Sequence, residues 1–340
     1  MTKKKRKKMW WHKKYKRKKK KRDWRKYKKD EVTYNLIQEN EIFIFLEFLP
    51  SATLFVCKNK SLWKGVGRPP HNLYDLLICL TIQQYFGKSL RRSMGIIRFV
   101  VKAANIRIKI PCFKTLDNYL NNPLIKPHLN ELFEITSKPL NHLERFFATD
   151  ATGETTSTAS TWYNIRANKE IKKKDHITTH ITTGTLLNTV TAINVNVYEG
   201  EDNIIFREHV KKTAKNFKIE EHSGDSKYLC KENCDAVEAV DGMPFFRPKS
   251  NTLVKSDGSY AWLRMMLNYY NHPIKAKRSY NRRLNAESTN HAKKSKFGSH
   301  VRSKNDVAKE NESKFQWLGY NFTVLSRAHY QYDVNPYFAR

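Results

Sequence analysis

Residues 280–294 read YNRRLNAESTNHAKK, and as a helix they place their polar groups on one side. At about 100° per residue, Tyr280 and Lys294 each lie about 20° from Glu287 around the axis, and Arg283 and His291 about 40° from it. One carboxylate thus shares a face with a phenol, a guanidinium and an ammonium, over roughly 20 Å of helix. A carboxylate of this kind suits a hard cation, and the cationic groups beside it suit phosphates. A helix packed against its own domain should show Leu, Ile or Val on such a face, so this one is expected to meet a ligand. His291 shares the face, and its expected role is to donate to that ligand or to pack.

Two aspartates upstream complete the set. Asp150 is the sole acid in the apolar run 146–151, FFATDA. Asp225 stands in the stretch 223–228, SGDSKY, where small residues permit close approach at a strand end. Asp175, Glu201, Asp202, Asp235 and Asp241 have charged or loop-like surroundings and are expected to face solvent. Three acids gathered in a basic protein repel one another unless cations offset them. In-line phosphodiester chemistry needs such cations, one on the attacking and one on the leaving oxygen, and Mg²⁺ prefers carboxylate oxygens. On this reading Asp150, Asp225 and Glu287 are both catalytic and metal-ligating. Arg283 serves as a bidentate fork for phosphate and Lys294 as a point charge, while Tyr280 donates to a phosphate oxygen or stacks on a base.

The elements that must position these residues can be read from periodicity. A helix is expected within 31–66, entering near Asn40 and ending by Pro50. After a stiff break at 67–70 come helices over 73–86 and 90–104, the second opening at Ser89 and carrying Arg91, Arg92 and Arg98. A third follows Pro111 with Thr115 as its cap. Three short helices bearing exposed bases fit a helix-turn-helix-like reader of a DNA groove, with Arg91 and Arg92 as contacts. From residue 144 the pattern turns to strands: 145–152, 162–166, 176–183 and 188–198. Then come a helix at 202–216, a strand ending at Asp225, a helix at 229–240, a short strand at 243–247, and a helix from Trp262. That helix is broken at Pro273 and resumes near Lys277; a closing helix covers 306–327. This order is that of a ribonuclease-H-like α/β domain, a mixed sheet flanked by helices, with an Asp mid-sheet, an Asp after a later strand and an acid on a late helix. The expected division is a disordered basic tail (1–30), a helical DNA-binding domain (31–140) and a catalytic domain (144–340).

The sequence also resembles prokaryotic insertion-sequence transposases of the DDE class, in the group marked by a Y-R-E-K signature. Tyr280, Arg283, Glu287 and Lys294 meet its spacing of two, three and six intervening residues. ATDATG around Asp150, Tyr228 after Asp225, and the phrase 244–249, PFFRPK, are similar to the family's patterns. The resemblance covers roughly 67–330, weakly in the helical part and strongly from 145 to 305. It implies that Asp150, Asp225 and Glu287 hold two Mg²⁺ or Mn²⁺ ions for cleavage at transposon ends and strand transfer into target DNA. It further implies at least a homodimer on double-stranded DNA, and a prokaryotic cytoplasmic, nucleoid-associated location. A metal-dependent nuclease without strand transfer, and a catalytically inactive DNA-binding derivative, are the alternative readings.

Charge agrees with a polyanionic partner rather than a small-molecule substrate. Lys and Arg number 64 against 32 acids, a formal +32 with a pI near 9.9. Residues 1–30 hold 19 Lys and Arg against Asp23 and Asp30, a net +17, leaving +15 for the rest. Five scattered cysteines argue for a reducing compartment without a disulfide framework. The apolar run 42–56 follows Glu39 and Glu41 and is broken by Glu47 and Pro50, so no membrane span is expected. So charged a tail supplies non-specific affinity for phosphate backbone. Binding to duplex of arbitrary sequence, followed by fluorescence anisotropy, should weaken by about 10³-fold or more between roughly 50 and 200 mM salt.

Overall fold

The computed structural model describes residues 24–58, 60, 69–156, 166, 176–196, 202–249, 252, 255, 258–335 and 338, with side chains from residue 31 onward. Five helices come first: α1 (Trp24–Cys57), α2 (Leu73–Phe86), α3 (Leu90–Ala103), α4 (Phe113–Leu120) and α5 (Lys126–Ser137). Strands β1 (Phe146–Thr155), β2 (His176–Gly184) and β3 (Val190–Asn196) follow, then α6 (Asp202–Ala214), β4 (Glu221–Gly224), α7 (Lys231–Glu238) and β5 (Met243–Phe246). The chain closes with α8 (Tyr260–Asn271), α9 (Pro273–Tyr280), α10 (Leu284–Phe297) and α11 (Asp306–Tyr332).

The strands form one mixed sheet in the order β3-β2-β1-β4-β5. β2 runs antiparallel to both its neighbours, β1 and β3, whereas β4 runs parallel to β1 and β5 parallel to β4. Alternation along the strands sorts side chains to two covered faces. Phe147, Thr149, Thr182 and His222 face α6, where Thr149 Oγ1 lies 2.6 Å from Thr182 Oγ1 and 2.8 Å from His222 Nε2. Thr182 Oγ1 continues the chain to His209 Nδ1 of α6 at 3.1 Å. Asp150, Thr183 and Glu154 point to the opposite face, covered by α10 and α11.

α11 is the packing axis. Its middle is buried nearly all round, from Asn311 to Phe322, and it meets α1, α2, α4, α5, α10 and β3. A helix apolar on one stripe only could not serve six neighbours. Among its buried polar groups, Asn321 Oδ1 accepts from Val190 N at 3.0 Å and Glu312 accepts from the backbone of Arg302 and Ser303, while Asn311 Oδ1 meets no donor among the described residues. One apolar cluster consequently runs from Ile44 to Phe338 through both the helices and the sheet.

Several expectations are corrected here. α1 does not stop at Pro50 but passes through it to Cys57. The missing N–H and ring clash are local costs, outweighed by Phe48, Leu49, Ala52 and Val56, all buried on the side that faces α2 and α11. Part of α1, Glu31–Cys57, is long and apolar enough to cross a membrane by length and composition; 44% of that window is buried inside the protein. Thr115 does not cap α4, which begins earlier at Phe113, and Ser89 stands at the N-cap of α3 without a side-chain bond. Pro273 itself opens α9, as a first-turn proline can. Residues 280–294 are not a single helix either, because a 3₁₀ turn over Asn281–Arg283 separates α9 from α10. α1 also enters at Trp24 rather than near Asn40, so residues 24–30 of the expected disordered tail are helical; residues 1–23 and most of the strand expected over 162–166 lie outside the described residues.

The buried histidines make acid sensitivity predictable. Burial holds His209 well below its usual range and pushes His222 down to about 3. Unfolded histidine titrates near 6.5, so below that pH the unfolded chain takes up protons that these folded residues refuse. Their contribution to stability is complete above about pH 6.5 and is lost as pH falls below it. The melting temperature should therefore drop between about pH 7 and 5.5, and His222→Gln should flatten that drop when measured by scanning calorimetry.

Candidate active site

Strand register brings the two aspartates side by side. Thr149 pairs with Gly224 as the last step of the parallel β1–β4 ladder. Asp150 and Asp225 are the next residue on each strand, where neighbouring chains lie about 5 Å apart. Asp150 continues in β1, paired with Ile181 on its other side. β4 ends at Gly224, and Asp225 caps a short turn by accepting from Ser226 N at 2.6 Å. Gly224 is needed at this strand end: a Cβ there would come within 2.8 Å of the Phe246 ring.

The third acid arrives on α10, which is tied to β1 along its whole length. At its start, Arg282 lies 3.6 Å over the Phe146 ring and pairs with Glu221 of β4. Beyond its end, Val301 N donates to Thr155 O at 2.9 Å and Thr155 N to Ser299 O at 3.0 Å. Between these ties Lys293 is fully buried. Its Nζ donates to Glu154 Oε1 at 2.9 Å and Gln316 Oε1 at 2.7 Å, and Trp317 Nε1 donates to the same carboxylate at 3.0 Å. Asn290 is 7% exposed and donates from Nδ2 to Asp150 Oδ2 at 3.0 Å.

This geometry corrects the reading of the helix faces. The buried stripe of α10 is Ala286, Thr289, Asn290 and Lys293, polar rather than Leu-like. It can be buried because Thr289, Asn290 and Lys293 each have a partner on β1, β2 or α11, which offsets desolvation. Glu287 borders that stripe with its side chain 48% exposed, and Arg283 one turn earlier is its ion-pair partner. Tyr280 is buried, with the Arg283 guanidinium 5.3 Å from its ring centroid. Lys294 is half-buried two turns beyond Glu287, and His291 is exposed. Arg91 and Arg92 are exposed on α3, where Arg91 lies 4.8 Å over the Phe113 ring.

Electrostatics shows which groups sense one another. Burial raises the Asp150 carboxyl above its ordinary range, and the negative charges of Glu287 and Asp225 push the same way against Ala151 N–H and Lys227. Burial also raises the Tyr280 phenol, with Asp225 adding to the shift and Arg283 opposing it. Arg283 in turn feels Tyr280, Glu287 and Asp225. The three carboxylates thus form one field, centred on Asp150 and partly met by Arg283 and Lys227.

A divalent cation fits that field in chemistry, since the donors are hard oxygens whose mutual repulsion it would relieve. As they stand, no three His, Cys, Asp or Glu side chains among the described residues are grouped to hold a metal, and Glu287 is engaged by Arg283. Asp150 and Asp225 follow the last paired step of β1 and β4, and Glu287 stands on α10 with its side chain half-exposed. A hollow of 580 Å³ elsewhere, along β3 between α5, α6 and α11, contains none of these acids.

Asn290, Lys293 and Arg282 escaped the sequence reading. A signal was present for the first two: small Ala286 and Thr289 share their three-one-three spacing and mark a close helix–sheet approach. No protein-family model, curated protein or solved structure matches the chain.

Breaking a buried ion pair by removing one partner typically costs about 3–5 kcal/mol, because the other charge is left unpaired. Lys293→Met should lower urea stability by that order. The double change Lys293→Met with Glu154→Leu should recover much of it, measured as the shift in unfolding midpoint.

Proposed function

We propose that this chain is a DDE transposase of the Y-R-E-K group, cutting DNA at the ends of a mobile element and joining them to target DNA. The observation that carries the reading is the register. Two aspartates occupy the step just past the last β1–β4 pair, and α10 brings Glu287 within electrostatic reach of Asp150. The strand order β3-β2-β1-β4-β5, antiparallel on one side of β1 and parallel on the other, supports a ribonuclease-H-like sheet beneath that site.

Asp150, Asp225 and Glu287 would hold two Mg²⁺ or Mn²⁺ ions. When bound, these neutralise charge on the reacting phosphate and ease deprotonation of the attacking hydroxyl. The protein's own work is positioning. β1 and β4 fix two carboxylates at one sheet end, and α10 carries the third with a guanidinium one turn before it. An incoming phosphate competes with Glu287 for Arg283, a fork suited to either anion, so DNA binding releases Glu287 toward the aspartates. Tyr280 and Lys294 flank that phosphate. Arg91, Arg92 and the basic tail engage the duplex further away, by charge. In cleavage, water oxygen bonds to phosphorus as the bond to the 3′ oxygen breaks, and that oxygen leaves as a hydroxyl. In transfer, the 3′ hydroxyl attacks a target phosphodiester and the target's own 3′ oxygen leaves with the proton. Two ends cut together require at least two copies of the chain on the DNA.

The test combines linear DNA carrying the element's ends, supercoiled plasmid and Mg²⁺. Joined products support a transposase; cut plasmid without joining identifies a nuclease; binding without cutting identifies an inactive derivative. Asp150→Asn, Asp225→Asn and Glu287→Gln should each reduce cutting by about a hundredfold or more while leaving end binding largely intact. Normal cleavage by any one of them would overturn the site assignment.

A further inference from the structure

Resting on the reading above, we infer that Asn290 is a positioning residue for Asp150, holding its carboxylate in the orientation that receives the cation. Asn290 is one helical turn beyond Glu287, so one element carries both an acid and the group that orients another. Its Nδ2–H donates to Asp150 Oδ2 at 3.0 Å, leaving Asp150 Oδ1 free of that bond. The amide orientation follows from chemistry: an ionised carboxylate only accepts, so the NH₂ end must face it. The Asn290 Oδ1 end is buried and meets no donor among the described residues.

An unmet buried carbonyl of this kind costs about 1–3 kcal/mol. Ala or Ser at 290 would avoid that cost, and the Asp150 bond by itself explains only half of the amide. The other half is an acceptor with no exposed surface, so the donor to Asp150 is what the amide supplies to the site. Neighbouring contacts fix the amide in place. Thr289 Oγ1 lies 3.4 Å from Thr183 Oγ1 and Lys293 is locked to Glu154, so α10 cannot roll without breaking both. Groups that orient metal-binding carboxylates commonly contribute 10–100-fold in metal affinity or activity.

The experiment compares wild type, Asn290→Ala, Asn290→Leu and Asp150→Asn. Asn290→Leu keeps the shape but removes the donor without adding a charge. Each protein is titrated with Mn²⁺ by calorimetry in the presence of end DNA, and is assayed for cleavage under saturating and limiting DNA. Scanning calorimetry checks that each variant is folded. The expected result is a weakening of Mn²⁺ binding by about 10-fold or more in both Asn290 variants. Cleavage should show a matching fall in kcat, with DNA KM little changed. Wild-type Mn²⁺ affinity and kcat in a folded Asn290→Leu would overturn the assignment of Asn290 while leaving the active-site reading intact. Failure of the reading itself looks different: wild type would not cleave, and Asp150→Asn would bind Mn²⁺ as wild type does.

Discussion

A lysine and a glutamate with no exposed side-chain surface hold this protein's candidate active site in register. Lys293 and Glu154 meet where three elements converge, with Trp317 and Gln316 of α11 closing the pair. Charges so buried are worth keeping only when geometry and extra hydrogen bonds compensate desolvation. Here they do so partly, because Glu154 Oε2 has no partner among the described residues. Hydrophobic residues of similar size would fill the same space. What they would lack is direction: an apolar contact tolerates rotation and sliding of α10 along β1, whereas this pair permits one setting. Glu287 and Asn290 inherit their positions from that setting.

The arrangement divides labour between backbone and side chain. Hydrogen-bonded strands place the backbones of Asp150 and Asp225 one step past the last β1–β4 pair. Glu287 is specified only by the helix beneath it and remains half-exposed, held by Arg283. Gathering all three acids at rest would raise the energy of the folded chain. Burial is what chiefly raises the Asp150 carboxyl, and the charges of Glu287 and Asp225 add to it.

Much of this was legible from residue patterns, and the failures share a cause. Alternating Ile193, Asn194 and Val195 mark β3, and the lone acid in an apolar run marks Asp150. The small residues Ser223 and Gly224 mark the strand end before Asp225. Each signal works because the physical rule is local. By contrast, Lys293 and Asn290 look like solvent-facing residues, since burial of a polar group depends on a partner distant in sequence. Glu154 lies 139 residues from Lys293, and Asn290 lies 140 from Asp150. The passage of α1 through Pro50 was hidden for the same reason: the compensating contacts come from α2 and α11. The 3₁₀ turn at Asn281–Arg283 lacks a glycine or proline to announce it.

α11 also sets the order in which the molecule can be made. It is the surface on which α1, α2, α4 and α5 bury their apolar sides, yet it follows all four of them in the chain. Until residues 306–332 emerge, the amino-terminal helices have no common partner, and Lys293 has neither Gln316 nor Trp317. A nascent chain must therefore wait, greasy and incomplete, for its closing helix. Termination before that helix would leave the amino-terminal helices without the one surface that covers all their apolar sides.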